Sequence, residues 1–489
     1  MTLREAMTSK WDLFSTQNLL LGAGILIYLA AFGVVWVLGF IYAVPLLVIL
    51  PAIGYYLFQS LLKPVLLLIP MFAATYLGDV ASVIPEGTIP LTLFQIFLLL
   101  TITAFFLNYL ICDTNRFRTL GVELELLLLF TLISFSIMYS PNRGDALLTF
   151  TRMIFLVFML YLIINILKDR VHFFWIFGLM TVLAFILGVL SIRSALLDPL
   201  TAALNIQAGG TRIIGRGAIT IRDPNVFATL FFVPIAVTTS IFLSELRYKW
   251  RIPALLTTLG LLAGLASTYS RSAWIATAFM LLMLVIYYRQ YKMMIITFLL
   301  VMVVIMSIPE LRNLTLNIVD RLLNIFAGSE DDSSRIRILL GMAAINMFFD
   351  SWMMGIGFRG FPEYFTNYFN LQESIGVYEP HNIIYEVLAE LGIIGFGLVL
   401  LFMFAIYKKA SQNFRMSGTE HDRIIAATLI ASLTAFVIFY QFYGGAFVST
   451  NMWAVIGLIL AHGYYLKTTQ NRLPKTGPAP PQLPAATDR

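Results

Sequence analysis

Along most of the chain, apolar residues run unbroken for about the 20 residues that a helix needs to cross a bilayer, and polar residues gather in short clusters between the runs. Bounded by charge or by proline and glycine, the runs fall near 19–36, 41–60, 64–84, 90–110, 121–140, 150–167, 173–191, 225–243, 252–268, 272–288, 293–308, 382–406, 424–441 and 447–466. Continuous runs of this length predict membrane-spanning helices. Only Trp36 to Phe40 separate the first two, and Pro45 and Pro51 predict kinks there. Two longer stretches interrupt the pattern, 192–224 and 309–381. In the second, Ile336, Leu339, Leu340, Ala343 and Met347 share one helical stripe between Arg335 and about Phe349, with Ser334 placed to cap it. That pattern predicts an amphipathic helix lying along the membrane surface.

The expected fold is an all-α, polytopic transmembrane helix bundle of about 12–14 spans, with one larger extracytoplasmic segment that carries the surface helix. Residues 1–18 are expected to be a cytoplasmic segment, 19–466 the transmembrane domain, and 467–489, rich in proline and polar residues, a disordered cytoplasmic tail. Composition adds an exclusion. Hydrophobic residues make up 59% and charged residues 12%, against about 25% charged in a soluble domain, so a soluble globular fold is ruled out. The single Cys112 cannot form an intramolecular disulfide and says nothing about redox compartment. No small-residue cleavage site follows the first run, so no removable signal peptide is expected.

Charge then orients the bundle. On this topology all nine lysines (Lys10, Lys63, Lys168, Lys249, Lys292, Lys408, Lys409, Lys467 and Lys475) lie on one side. The positive-inside rule makes that side cytoplasmic, with both termini, and the net charge of +6 then reflects orientation rather than a nucleic-acid partner. The outer side holds Arg143, Arg152, Arg193, Arg212, Arg216, Arg222, Arg271, Arg312, Arg321, Arg335, Arg337 and Arg359, and no lysine. A guanidinium donates in a planar fork that fits two phosphate oxygens and stays charged when desolvated. As a set, these arginines point to an anion site of pyrophosphate type. Any single one is better read as pairing with a carboxylate or snorkelling to headgroups.

Of the four histidines only His381 faces outward, in Glu379-Pro380-His381-Asn382-Ile383-Ile384-Tyr385 at the start of a span. An imidazole with its ordinary pKa near 6.5 can take a proton from a hydroxyl at neutral pH. The alternative is a helix-start histidine satisfied by backbone or headgroups. Tyr385, at i+4, is expected on the histidine's face. Glu390 is about 13 Å deeper on the opposite face, where it would lock helix packing, protonated or paired with an arginine. Arg271 stands in Ser267-Thr268-Tyr269-Ser270-Arg271-Ser272 between two spans. Asp223 and Pro224 read as cap and first helical residue, which leaves Arg222 unexplained. Gly355-Ile356-Gly357-Phe358-Arg359-Gly360 matches a dinucleotide fingerprint in spacing, but no strand surrounds it, so a tight turn is expected. Glu330-Asp331-Asp332 reads as a solvated turn rather than a metal site, and no Walker motif is present.

With these residues in view, the chain resembles the bacterial O-antigen ligase/polymerase superfamily. The resemblance runs from about Arg212 to Gly395 and rests on Asp223-Pro224-Asn225, Thr268-Tyr269-Ser270-Arg271-Ser272, the stretch from Asp350 to Phe361, and Pro380-His381-Asn382 followed by Glu390-Leu391-Gly392. It implies a polytopic glycosyltransferase at the outer face of the bacterial inner membrane. The donor would be a saccharide on undecaprenyl pyrophosphate and the acceptor a hydroxyl on a glycan, lipid or protein. Transfer would proceed with inversion, without metal or other cofactor. On that reading His381 is the base, Arg271 and Arg222 bind the pyrophosphate with Arg216, Arg335 and Arg337 as further candidates, and Tyr385 and Glu390 support the site. Two readings from other classes stay open: a transporter of a small anion, and a non-catalytic scaffold in polysaccharide assembly.

Overall fold

A chain crossing lipid must satisfy its backbone hydrogen bonds internally, and long apolar segments do so as helices. The computed structural model describes residues 53–61, 63–78, 92–111, 117–197, 223–307, 332–368 and 379–472, and these are helical throughout, with turns between. The helices are α1 (Ile53–Leu61), α2 (Val65–Leu77), α3 (Leu93–Ile111), α4 (Glu123–Tyr139), α5 (Arg143–Ile166), α6 (Arg170–Leu197), α7 (Pro224–Leu243, with a 3-10 turn at Thr229–Phe231), α8 (Tyr248–Ala266), α9 (Arg271–Tyr288), α10 (Tyr291–Ser307), α11 (Asp332–Asp350), α12 (Phe361–Tyr368), α13 (Ile383–Met416), α14 (Glu420–Phe439) and α15 (Thr450–Arg472). Every apolar run from 64–84 onward holds one of these helices. The run at 19–36, most of the tail, and residues 198–222 and 308–331 lie outside the described residues. By length and composition α3, α5, α6, α7, α9, α13 and α14 are fit to cross a membrane, and the bent pair α1–α2 makes an eighth if counted as one span.

The chain divides into two compact units, Met1–Met71 with Phe94–Arg116, and Phe72–Leu93 with Phe117–Arg489. The second carries the site. At its centre stand α7 and α14, of whose spans 83% and 78% of residues are buried. Helix α7 packs against α6, α8, α9 and α14, and α14 also against α13 and α15. Around them, outer helices show apolar side chains outward, among them Leu124, Leu127, Phe135 and Met138 of α4 and Phe404 of α13. Lipid solvates such faces, so close packing and polar contacts must hold the helices together. Thr258 donates to Thr238 (2.8 Å), Ser191 and Ser267 share a bond of 2.6 Å, and a Cβ on Gly264 would stand 2.7 Å from the Gly188 Cα.

Helix α11 starts at Asp332, two residues before the expected cap Ser334, which lies inside it. Its buried stripe is Leu340, Ala343, Ala344 and Met347, packed on Phe361, Phe365 and Ala389. A second stripe, Ile338, Met342, Ile345 and Phe349, is exposed.

Helix α13 is broken. Gly392 has φ 69° and ψ −166°, a left-handed conformation that favours glycine. The break frees carbonyls and an N–H, and the turn after α11 satisfies them. Ile356 and Gly357 donate to the carbonyls of Ala389 (2.9 Å) and Glu390 (3.0 Å), and Ile393 donates to that of Met353 (3.0 Å). The Gly355–Gly360 segment is thus a turn fitted to a helix break, in keeping with the rule that irregular backbone at membrane depth is buried in protein. A Cβ at Gly392 would collide with the Met353 carbonyl. Gly392→Ala should therefore destabilise by more than the ~1–2 kcal/mol of the left-handed conformation alone, seen as a lowered unfolding temperature in detergent. Gly397→Ala, where a Cβ meets nothing within 4 Å, should be neutral or slightly stabilising.

Candidate functional site

Cross-element hydrogen bonds define two ends of the second unit. At one end Arg118 N–H donates to Asn165 Oδ1 (2.7 Å), Arg170 to Thr419 (3.3 Å), and Glu245 N–H to Glu420 Oε1 (3.0 Å). Lys168, Lys249, Lys292, Lys408, Lys409 and Lys467 lie on or beside the turns and helix ends of this side. At the other end gather the N-termini of α5, α7, α9, α13 and α15, with the turns that join them.

His381 sits at that second end. It precedes the α13 cap, Asn382, whose Oδ1 accepts from the N–H groups of Ile384 (2.8 Å) and Tyr385 (3.2 Å). Asn382 Nδ2 donates to the Gln441 carbonyl (2.8 Å) and Ile383 N–H to that of Tyr440 (2.9 Å), so the start of α13 is tied to the turn after α14. His381 itself has φ 50°, a left-handed conformation costly for a side-chain-bearing residue. Its half-buried ring lies 5.7 Å from that of Tyr443. Because His381 is outside the helix, the i+4 relation to Tyr385 does not hold. Tyr385 packs instead on α11, where its ring lies 2.9 Å from the Cβ position of Gly341.

Tyr443 stacks on Phe439 at 5.4 Å and donates from its hydroxyl to Asp223 Oδ2 at 2.8 Å. Burial, and next the Asp223 carboxylate, push its phenol above the usual range, so it stays a donor. Asp223 Oδ1 caps α7, accepting from Asn225 N–H at 2.7 Å, with Pro224 at the first helical position. Asn225 Oδ1 accepts from Ser270 Oγ at 2.8 Å. Ser270 is the cap of α9, and Arg271, half-buried, is that helix's first residue. A chain of short contacts therefore runs from His381 through Tyr443, Asp223, Asn225 and Ser270 to Arg271.

A second polar cluster lies near the α13 start, with Glu379 and Glu386 close to Gly444. Arg359 Nε donates to Asp145 Oδ2 (2.8 Å) and its Nη1 to Glu379 Oε1 (2.9 Å). Burial works to lower the Arg359 pKa, but Glu379, Asp145 and Glu390 outweigh it and hold the guanidinium above its usual range. Glu390 accepts the backbone N–H groups of Arg359 (2.8 Å) and Phe361 (3.3 Å), clamping the turn onto α13. Glu386 accepts from Gly445 N–H (3.3 Å).

Of the other arginines, Arg337 is half-buried on α11, one turn before Gly341. Arg335 lies in the first turn of the same helix, and its side chain lies outside the described residues. Arg222 and Arg216 lie outside them altogether. Among the described residues no group of three histidine, cysteine, aspartate or glutamate side chains is placed to hold a metal ion. Sequence reasoning did not single out Tyr443, the second carboxylate oxygen of Asp223 or the Arg359 cluster. Tyr440-Gln441-Phe442-Tyr443-Gly444-Gly445 carries no spacing signal, and Arg359 was read only as one of the outer arginines and as part of a turn.

An all-helical bundle with lipid-type outer faces and several spanning-length helices is a multi-pass membrane protein, with its polar chemistry concentrated at one end. Residues 256–400 match the family model described as O-antigen ligase, which supports placement in the O-antigen ligase/polymerase superfamily and, in general terms, a role in lipid-linked glycan transfer. No curated protein matches the chain. The matched stretch contains Arg271, Arg337, Arg359, His381 and Glu390, whereas Asp223 and Tyr443 lie outside it.

Proposed function

We propose that this protein transfers a saccharide from an undecaprenyl-pyrophosphate carrier to an acceptor hydroxyl at the outer face of the bacterial inner membrane, as a ligase or polymerase of surface polysaccharide. The lysine-rich end then faces the cytoplasm. The reading rests on one observation: His381 and Arg271 share the end of the bundle opposite the lysines, joined by Tyr443, Asp223, Asn225 and Ser270. His381 accepts the acceptor's proton as its oxygen attacks the anomeric carbon. The bond to the pyrophosphate oxygen breaks on the opposite side, which inverts the configuration. The electron pair leaves with the pyrophosphate, and Arg271, with Arg222, Arg216, Arg335 and Arg337 as candidates, neutralises the growing charge. Such preorganised donors act most strongly where water is excluded, so arginine serves in place of a metal ion.

An apolar groove supports a lipid-borne donor. It has a volume of about 380 Å³ and begins at Ile383 and Ile384, beside His381, then follows α13 past Val399 and Leu400 to Tyr407, with Trp453 and Phe447 opposite. A chain of isoprene units would lie there with its pyrophosphate toward the arginines.

The test is transfer by the purified protein in vesicles, with a lipid-pyrophosphate glycan and candidate acceptors. Product should form without nucleotide sugar, and Leu400→Trp, which obstructs the groove, should raise the KM for a long-chain donor at least fivefold and leave that for a short-chain analogue within twofold. If no donor and acceptor pair yields product while the vesicles accumulate a small anion, the transporter reading replaces this one.

A further inference from the structure

The residues that tie the histidine to the arginine come from one helical turn. Asp223 and Asn225 are the cap and second residue of α7, and Pro224 between them has a fixed φ. From this turn Asp223 Oδ2 reaches Tyr443, and Asn225 Oδ1 reaches Ser270. The turn is also well anchored. Pro224, Phe227 and Ala228 are buried, and among the described spans α7 is the most buried. A cap alone requires one oxygen of Asp223, and Oδ1 supplies it. Helix formation gives no use to Oδ2 or to the Asn225 amide, and each meets one side of the site.

We propose that Asp223-Pro224-Asn225 is a positioning element that sets the placement of His381 relative to Arg271, an inference that rests on the transfer reaction proposed above. Asp223 acts through Tyr443. A phenol held by a carboxylate keeps its ring against the imidazole, which limits the orientations His381 can take toward an incoming hydroxyl. Asn225 acts through Ser270, whose hydroxyl it accepts, and so fixes the start of α9 and the direction in which Arg271 leaves it. Because both tethers leave one rigid turn, movement of one partner relative to the other is suppressed. Misplacement of a reacting group by about 1 Å can cost about 10²-fold in rate, so the expected effects are kinetic and need not alter the fold.

The experiment measures donor KM and kcat in the vesicle assay for Tyr443→Phe, Asn225→Ala, His381→Ala and Arg271→Ala, with the unfolding temperature of each. Tyr443→Phe keeps the ring and removes only the tether. It should lower kcat about 10–100-fold with donor KM within twofold. Asn225→Ala should raise donor KM about tenfold with a smaller change in kcat. Asp223→Asn keeps one oxygen to cap α7 and turns its NH2 group toward Tyr443, whose phenol oxygen can accept from it. It should be milder than Tyr443→Phe, and the double variant should be no slower than Tyr443→Phe alone. If Tyr443→Phe and Asn225→Ala match the wild type while His381→Ala and Arg271→Ala are inactive, the positioning role is wrong and the transfer reading stands. Should all four transfer glycan at the wild-type rate, the transfer reading falls and the positioning role with it. Equal losses in kcat and affinity, together with lowered unfolding temperatures, would mark a merely structural turn and overturn the proposal.

Discussion

His381→Ala should slow glycan transfer by about 10²–10⁴-fold, the usual contribution of a general base, with little change in unfolding temperature. The ring is half-buried at the edge of a turn, and α13 is capped by Asn382 rather than by His381. Loss of the imidazole therefore leaves the helix start intact. Arg271→Ala should cost about 10²–10³-fold, as for removal of a donor that stabilises developing charge. Arg271→Lys should restore only part, since a point charge does not reproduce a two-toothed contact to phosphate. The two losses differ in their pH signature. A base must be unprotonated to act, so wild-type transfer should fall as the medium is acidified. The residual activity of His381→Ala should lose that limb, whereas Arg271→Ala should keep it. If both variants transfer glycan as fast as wild type while folded, the mechanism is wrong.

The largest effect on stability is expected at Arg359. Its side chain is 16% exposed and faces Asp145 and Glu379, which are 39% and 30% exposed. Arg359→Met leaves both carboxylates without their cation beside buried Glu390. Breaking a fully buried pair costs about 3–5 kcal/mol, and the partial exposure of the carboxylates places this case near the lower end, at about 3 kcal/mol. Arg359→Lys should recover less than half, because a single ammonium cannot reproduce the fork that holds Asp145 and Glu379 together. Adding Asp145→Asn and Glu379→Gln to Arg359→Met should recover most of the loss, since no charge is then stranded. Chemical unfolding in detergent measures all three. An Arg359→Met protein within about 0.5 kcal/mol of wild type, the range of ordinary surface changes, would show that the cluster does not hold the turn.

The helices of the described runs were legible because lipid imposes a single rule on long apolar runs: each closes its hydrogen bonds within one helix. The cap at Asp223 was legible because a small polar side chain ahead of an apolar run satisfies the first N–H groups. The His381 environment was not. Reading His381 as part of the helix placed Tyr385 on its face, but Asn382 is the better cap, and one residue of displacement removes the relation. Glu390 was expected to lock packing or meet an arginine. It does hold residue 359, through the backbone N–H rather than the guanidinium. The break at Gly392 was hidden for a related reason. Isolated glycines occur elsewhere in the same helix, at Gly395 and Gly397, and only the carbonyls of the neighbouring turn distinguish the one with positive φ. Tyr443 reaches Asp223 across 220 positions, and no local pattern encodes such a pairing.

That pairing has a bearing on how the protein could be re-engineered. Grafting 256–400 from a relative would import the imidazole and the guanidinium but leave the host's Asp223 and Tyr443 to receive them. Hybrids of that kind should assemble in the bilayer and yet turn over poorly, until the segments around 223–225 and 440–445 travel with the graft.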